Sequence, residues 1–181
     1  VDVIQLRSKT LSAAELLRLG VKIRGIANRR RKLFIVNDRI DIAIGCDADG
    51  VHLGQEDLPV ALARRLFRDA SRIVGKSTHR VAQAVAAQKE GADYLGFGPV
   101  FSTPTKPDYR EIGLGNFGEI RRKIRVPVVA IGGIGGSNIE NVLSAGAGRV
   151  AVVRAVFSAS DPECAARNLE RIMMRYEMPV L

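Results

Sequence analysis

The chain has no tryptophan, two cysteines and two histidines in 181 residues, and no long apolar run. Each shortage excludes a class of function. Without Trp, and with aromatics at 5%, no platform for stacking nucleic-acid bases is evident. Cys46 and Cys164 lie far apart and form no C-x-x-C pair, which argues against a zinc ligand set and a disulfide framework. His52 and His79 lack the H-x-x-x-H spacing, and no Ser/His/Asp set is apparent. No apolar stretch approaches the ~20 residues that span a bilayer, and no signal peptide is visible. A cytoplasmic protein with no membrane partner is the expectation.

The formal charge of +9 invites an anionic partner, but its placement weakens that idea. Arg29-Arg30-Arg31-Lys32 and Arg121-Arg122-Lys123 with Arg125 fall at expected helix ends, just before strands. Cations there complement the helix dipole. A solvated face explains them, and nucleic acid is not expected as a partner.

What is present is a regular alternation of short apolar runs and helical patterns. Strands are expected near residues 1–6, 33–36, 49–53, 72–75, 93–97, 127–131 and 149–153. Helices are expected near 12–29, 38–45, 59–68, 79–91, 115–124, 137–145 and 161–176. Ser12 with Glu15 has the form of a capping box, Ser137 is the expected cap of a later helix, and Asp161-Pro162 places Pro in a first turn. Gly91, Gly146 and Gly148 are placed to close helices. Seven βα units exceed the usual open doubly wound sheet and fall one short of a closed TIM (β/α)8 barrel. The chain opens inside a strand-like run, so the expected fold is that barrel with its first βα unit missing. One domain over 1–181 is expected from length and composition.

A small polar cluster follows most of the strands. In a parallel βα barrel this puts every cluster on the rim where active sites lie. Asn37-Asp38 and Asp57 follow consecutive strands, which are about 4.8 Å apart as neighbours. Two carboxylates so placed repel unless a cation lies between them, and Mg²⁺ takes one or two carboxylates plus phosphate oxygens. Either Asp could instead cap the helix after it. Arg7, Lys9 and Lys106 add positive charge to the rim and Ser77 adds a hydroxyl, a set suited to a diphosphate. Arg7 and Lys9 could equally be surface charges, and Ser77 a helix cap. Thr103-Pro104-Thr105-Lys106 lies in the longest non-helical segment, Gly98 to Gly113, able to close over a substrate or simply exposed. Gly132-Gly133-Ile134-Gly135-Gly136 and Val152-Val153-Arg154 follow the last two strands, where backbone N–H groups commonly cradle a phosphate. His52 is taken as packing and His79 as opening a helix.

With these clusters in place, the chain resembles the thiamine-phosphate synthase family. The resemblance rests on QLRSK at Gln5–Lys9, VNDR at Val36–Arg39, GVHLGQEDLP at Gly50–Pro59, GKSTH at Gly75–His79, GPVFSTPTK at Gly98–Lys106 and AIGGI at Ala130–Ile134. It implies an enzyme, a transferase, that joins hydroxymethylpyrimidine diphosphate to hydroxyethylthiazole phosphate and releases diphosphate. It implies that Gln5, Arg7, Lys9 and Asn37 hold the pyrimidine diphosphate and that Asp38 and Asp57 hold Mg²⁺. Ser77 and Lys106 would bind the diphosphate. Thr103, Thr105, Gly133 and the backbone at Val153 and Arg154 would hold the thiazole phosphate. Arg154 stands where the family often has Ser. Diphosphate would leave before attack, with Ser77, Lys106, Arg7 and Lys9 as the catalytic set. The alternatives are a thiazole tautomerase and a non-catalytic thiazole-phosphate-binding barrel. The partners implied are small molecules; a homodimer is allowed, and the sequence does not fix the oligomeric state.

Overall fold

The structure is a computed structural model that describes residues 1–104 and 110–176. The chain divides into two compact units, Val1–Ser77 with Lys89–Asp93, and Thr78–Gln88 with Tyr94 onward.

In the first unit the elements are β1 (Val3–Leu6), α1 (Ala13–Arg29), β2 (Leu33–Asn37), α2 (Ile40–Gly45), β3 (Gly50–Leu53), α3 (Val60–Phe67) and β4 (Ile73–Thr78), the last belonging here as far as Ser77. The strands pair in parallel and in chain order, with Leu6 opposite Val36, Asn37 opposite His52, and Leu53 opposite Lys76. Phe34, Ile35, Val36, Val51, Leu53 and Val74 are all 1% exposed or less. Consecutive buried residues are what a parallel strand covered on both faces requires. At Gly50 a Cβ would lie 2.0 Å from the Ile73 carbonyl oxygen, so only glycine lets these two strands meet. Helix α1 starts with the expected capping box: Glu15 N–H donates to Ser12 Oγ at 3.3 Å, and Ser12 N–H to Glu15 Oε2 at 2.9 Å.

In the second unit follow α4 (Val81–Lys89, belonging here as far as Gln88), β5 (Tyr94–Phe97), α5 (Phe117–Lys123), β6 (Val128–Ile131), α6 (Ile139–Ser144), β7 (Val150–Ala151), α7 (Arg154–Phe157) and α8 (Pro162–Arg175). Strands β5, β6 and β7 are again parallel and in chain order, with Phe97 opposite Ala130 and Ile131 opposite Ala151. The buried Phe97 and Phe117 rings meet edge to face, 5.5 Å between centroids. Gly91 and Gly146 have φ of 90° and 97°, as chain reversals after helices need. Asp161 caps α8, accepting from Cys164 N–H at 2.9 Å.

Three local expectations are corrected. The last strand ends at Ala151, not 153; Val153 stands as the cap of the additional short helix α7 and is 46% exposed. Its β-branched neighbours mimic a strand that the chain has already left. The cap of α6 is Asn138 rather than Ser137, and its side chain is engaged elsewhere. Lys76, Ser77 and Thr78 lie within β4, so Ser77 caps no helix. Among the described residues no helix is long and apolar enough to cross a membrane.

Candidate functional site

In both units the polar clusters follow the carboxyl ends of parallel strands. The first unit carries Gln5 near the end of β1, with Arg7 and Lys9 just beyond it. The Ser8 hydroxyl turns the chain there by accepting from Leu11 N–H at 3.1 Å. Arg7 is half-buried, and its Nε is a buried donor with no hydrogen-bond partner. Buried donors are rarely left so; Arg24 Nε is the other one among the described residues.

Asn37 ends β2 and is 7% exposed. Asp38 follows in the left-handed region, φ 62°, and its N–H donates to His52 O at 2.8 Å, which fixes it beside the end of β3. Beyond β3 the chain makes a Gly54–Asp57 turn, with Asp57 N–H to Gly54 O at 3.3 Å and Gly54 N–H to Asp57 Oδ2 at 2.6 Å. Neither aspartate is the N-cap residue of the helix that follows. The caps of α2 and α3 are Arg39 and Pro59, and no side-chain cap bond forms at either.

Ser77 joins this group from β4. Its Oγ lies 2.8 Å from His52 Nε2, and its carbonyl accepts from Gln55 Nε2 at 2.5 Å. Lys76, 8% exposed, donates from Nζ to Gly54 O at 2.7 Å. Burial pulls the Lys76 ammonium below the usual lysine range, while Glu90 and Asp57 work in the opposite direction. Asn37, Asp38, Asp57 and Ser77 are thus held at one end of β2, β3 and β4 by backbone and side-chain bonds.

The second unit builds a different surface. Gly132 and Gly133 follow β6, Val153 and Arg154 follow β7, and the two strands are paired neighbours. Gly133 has φ 64°, and a Cβ there would lie 2.6 Å from Ser102 O. Asn138 braces the glycine turn, accepting from Gly135 N–H and donating to Gly133 O, both at 2.9 Å. The loop after β5 packs on the same turn through Phe101 N–H to Gly132 O at 3.1 Å. Its two described ends are joined by Ile112 N–H to Pro99 O at 2.8 Å and by Ser102 N–H to Glu111 Oε2 at 2.9 Å. Thr103 is half-buried in this loop. Thr105 and Lys106 lie outside the described residues.

Several residues that sequence reasoning passed over do much of the positioning. His52 was expected only to pack, yet it bonds Ser77. His79 was expected to open a helix; its Nδ1 bonds Gly98 O, and its N–H donates to Gln83 Oε1 at 2.8 Å. Gln55, Lys76 and Asn138 were assigned no role. The signal available for Lys76 was a lone cation inside an apolar strand pattern.

A divalent cation can be tested against these donors. Among the described residues no three or more His, Cys, Asp or Glu side chains cluster as a metal cage. Two carboxylates after neighbouring strands are the lesser set that Mg²⁺ uses when substrate phosphate completes its shell. The donor chemistry fits that ion.

Parallel strands in chain order, each followed by a helix, define an α/β fold of the kind whose active sites lie at the carboxyl ends of the strands, where these polar clusters stand. A family model described as thiamine monophosphate synthase matches residues 1–156. The chain belongs to this family, and it is a transferase of the class that description names. A curated thiamine-phosphate synthase of Chloroflexus aurantiacus is 45% identical over 172 residues, 94% of this chain and 79% of that protein. One from Gloeobacter violaceus is 49% identical over 95% of this chain, which spans 50% of its length. The solved thiamine phosphate pyrophosphorylase from Pyrococcus furiosus is 39% identical, with a TM-score of 0.90 over 97% of this chain and 84% of that one.

Proposed function

We propose that the chain couples hydroxymethylpyrimidine diphosphate with hydroxyethylthiazole phosphate to give thiamine phosphate and diphosphate. The observation that carries this reading is the buried, unpartnered Arg7 Nε just past the end of β1, the strand paired with β2, which leads into Asp38. A desolvated guanidinium donor and two carboxylates suit a diphosphate bound together with a cation.

In this reading Gln5, Arg7, Lys9 and Asn37 hold the pyrimidine diphosphate, and Asp38 and Asp57 hold Mg²⁺. When bound, that ion would neutralise charge building on the departing diphosphate. Ser77 donates its hydroxyl to the same oxygens, with Arg7, Lys9 and Lys106 as the other donors. Electron release from the aminopyrimidine lets the leaving group depart first, and the thiazole nitrogen then attacks the exocyclic carbon. No protein nucleophile is needed. The second unit supplies the thiazole-phosphate site through Thr103, Thr105, Gly133 and the backbone at Val153 and Arg154. The Arg154 guanidinium, where the family often has Ser, adds a cation beside that phosphate.

Three structural and cellular expectations belong to the same reading: one domain over 1–181, a (β/α)8 barrel architecture, and a cytoplasmic location.

The test is diphosphate release with both precursors. Release is expected to need Mg²⁺, to stop with excess chelator and to return when Mg²⁺ is restored. Asp38→Ala and Asp57→Ala are expected to lower kcat/KM by at least ~100-fold. Full activity of both variants, or activity that ignores the chelator, would overturn the cation assignment.

A further inference from the structure

We propose that Lys76 and Gln55 are positioning residues for a divalent cation at Asp57, because together they lace the Gly54–Asp57 turn to the end of β4. The inference rests on the reading of Asp57 as a cation ligand and assigns roles to two residues outside the expected substrate and metal sets.

Gly54 is held from both sides of its residue. Its N–H meets Asp57 Oδ2 at 2.6 Å, and its carbonyl accepts from Lys76 Nζ at 2.7 Å. The carboxylate oxygen is thereby tied to a backbone group that β4 itself anchors. Gln55, the next residue of the turn, makes the return bond, Nε2 to Ser77 O at 2.5 Å. The lacing runs in both directions: a β4 side chain reaches the turn's backbone, and a turn side chain reaches the β4 backbone. A four-residue turn fixed at two successive residues has little freedom left to move the carboxylate at its end.

The choice of residue at 76 points the same way. By strand alternation Lys76 shares a face with Val74 and Thr78, which are 0% and 1% exposed. An ammonium there gives up hydration, and one carbonyl bond offsets only part of the loss. A Leu or Met would fill the position without that penalty. The cost makes sense if the bond to Gly54 O is what the position is for. Groups behind a metal ligand commonly set its affinity by 10–100-fold.

Two effects of removing the lysine have opposite sign. Loss of its charge alone would strengthen cation binding, since like charges repel. Loss of the anchor would weaken it. Lys76→Met and Gln55→Leu keep approximate volume and remove the bonds. We expect each to weaken Mn²⁺ binding, followed by electron paramagnetic resonance of free Mn²⁺ without substrates, by about tenfold. Turnover is expected to recover when Mg²⁺ is raised in proportion, so the apparent KM for metal changes and kcat does not.

Tighter Mn²⁺ binding by Lys76→Met, or unchanged binding by whichever variants fold, would overturn the proposal. So would failure of both to fold, because the lacing would then serve the fold rather than the cation. Asp57→Asn in the same titration separates the two levels. If it binds Mn²⁺ as the unsubstituted enzyme does, the ligand reading itself falls. If it loses Mn²⁺ while Lys76→Met does not, only the positioning inference falls.

Discussion

His52 Nε2 and Ser77 Oγ lie 2.8 Å apart across the paired strands β3 and β4. His52 is 7% exposed. A hydroxyl has one proton to give, and its direction decides whether it meets a departing oxygen or points elsewhere. In the proposed reaction the imidazole would act through the serine. Ser77→Ala is expected to slow turnover by about 10²-fold with substrate binding nearly kept, as for loss of one donor to a developing anion. His52→Ala should slow it by less, roughly tenfold, and should add little in the Ser77→Ala background. Steady-state and single-turnover rates for the four proteins of that double-mutant cycle give the coupling. Strict additivity would show that His52 works independently of Ser77.

The second unit offers a more local prediction. Gly133 combines φ 64° with a Cβ position only 2.6 Å from Ser102 O. Alanine there meets both the left-handed penalty of about 1–2 kcal/mol and a backbone contact that must move. Gly133→Ala is expected to lower the melting temperature by several degrees, roughly 2–4 °C per kcal/mol for a chain of this size. It should also raise the KM for the thiazole phosphate more than that for the pyrimidine diphosphate. Gly136→Ala is the control, since a Cβ there meets nothing within 4 Å. Equal effects at the two positions would remove Gly133 from the site.

Much of this was legible before the structure, and the reason is periodicity. Consecutive buried residues such as Phe34-Ile35-Val36 mark a parallel strand, and the polar cluster after each such run marks its carboxyl end. That logic brought Asn37, Asp38, Asp57 and Ser77 to one place. It failed where a side chain's partner lies far off in sequence. His52 alternates like a packing residue, and nothing local announces Ser77 twenty-five positions later. Asn138 sits where a cap belongs, yet it reaches back to Gly133 and Gly135 because the glycine turn has backbone groups to satisfy. Val153 follows Val150-Ala151-Val152 and still lies outside the strand, against its β-branched propensity.

Acid stability follows from the opposite ends of the strands. The Arg72 guanidinium bonds Asp47 at 2.6 Å and holds its carboxyl below the ordinary range. The unfolded value is about 3.9, and the folded value is lower. Stability from this pair is complete above the unfolded value and is lost as pH falls through the folded one. Asp47 is 65% exposed, so screening limits the contribution to a few tenths of a kcal/mol, on the order expected of surface pairs. Asp47→Asn should be slightly less stable than the unsubstituted protein at neutral pH, and the gap should close in strong acid. Urea midpoints measured down to about pH 2 test this; a gap that stays constant would assign the loss to packing rather than charge.

The same ends show one device used twice. Asp49 donates its N–H to Phe34 O at 2.9 Å and accepts Phe34 N–H on Oδ2 at 2.8 Å, while Arg24 Nη1 bonds its other oxygen at 2.8 Å. Asp93 repeats this on Val74, with its N–H to Val74 O at 2.8 Å, Val74 N–H to Oδ2 at 2.6 Å, and Arg64 as its cation. Each aspartate grips both polar groups of one strand residue that is fully buried. Removing the carboxylate strands a buried N–H, which costs about 1–3 kcal/mol, and leaves an arginine short of its partner. Asp49→Ala and Asp93→Ala should each lose roughly 2–3 kcal/mol in urea unfolding, with the m-value unchanged and activity per folded molecule retained. Asp49→Asn should lose less, because the amide oxygen can still accept from Phe34. Asp2→Ala, which breaks only the exposed pair with Lys32, should change stability by under ~0.5 kcal/mol. If Asp49→Ala behaved like Asp2→Ala, these contacts would be ordinary surface ion pairs and the strand starts would be held by packing alone.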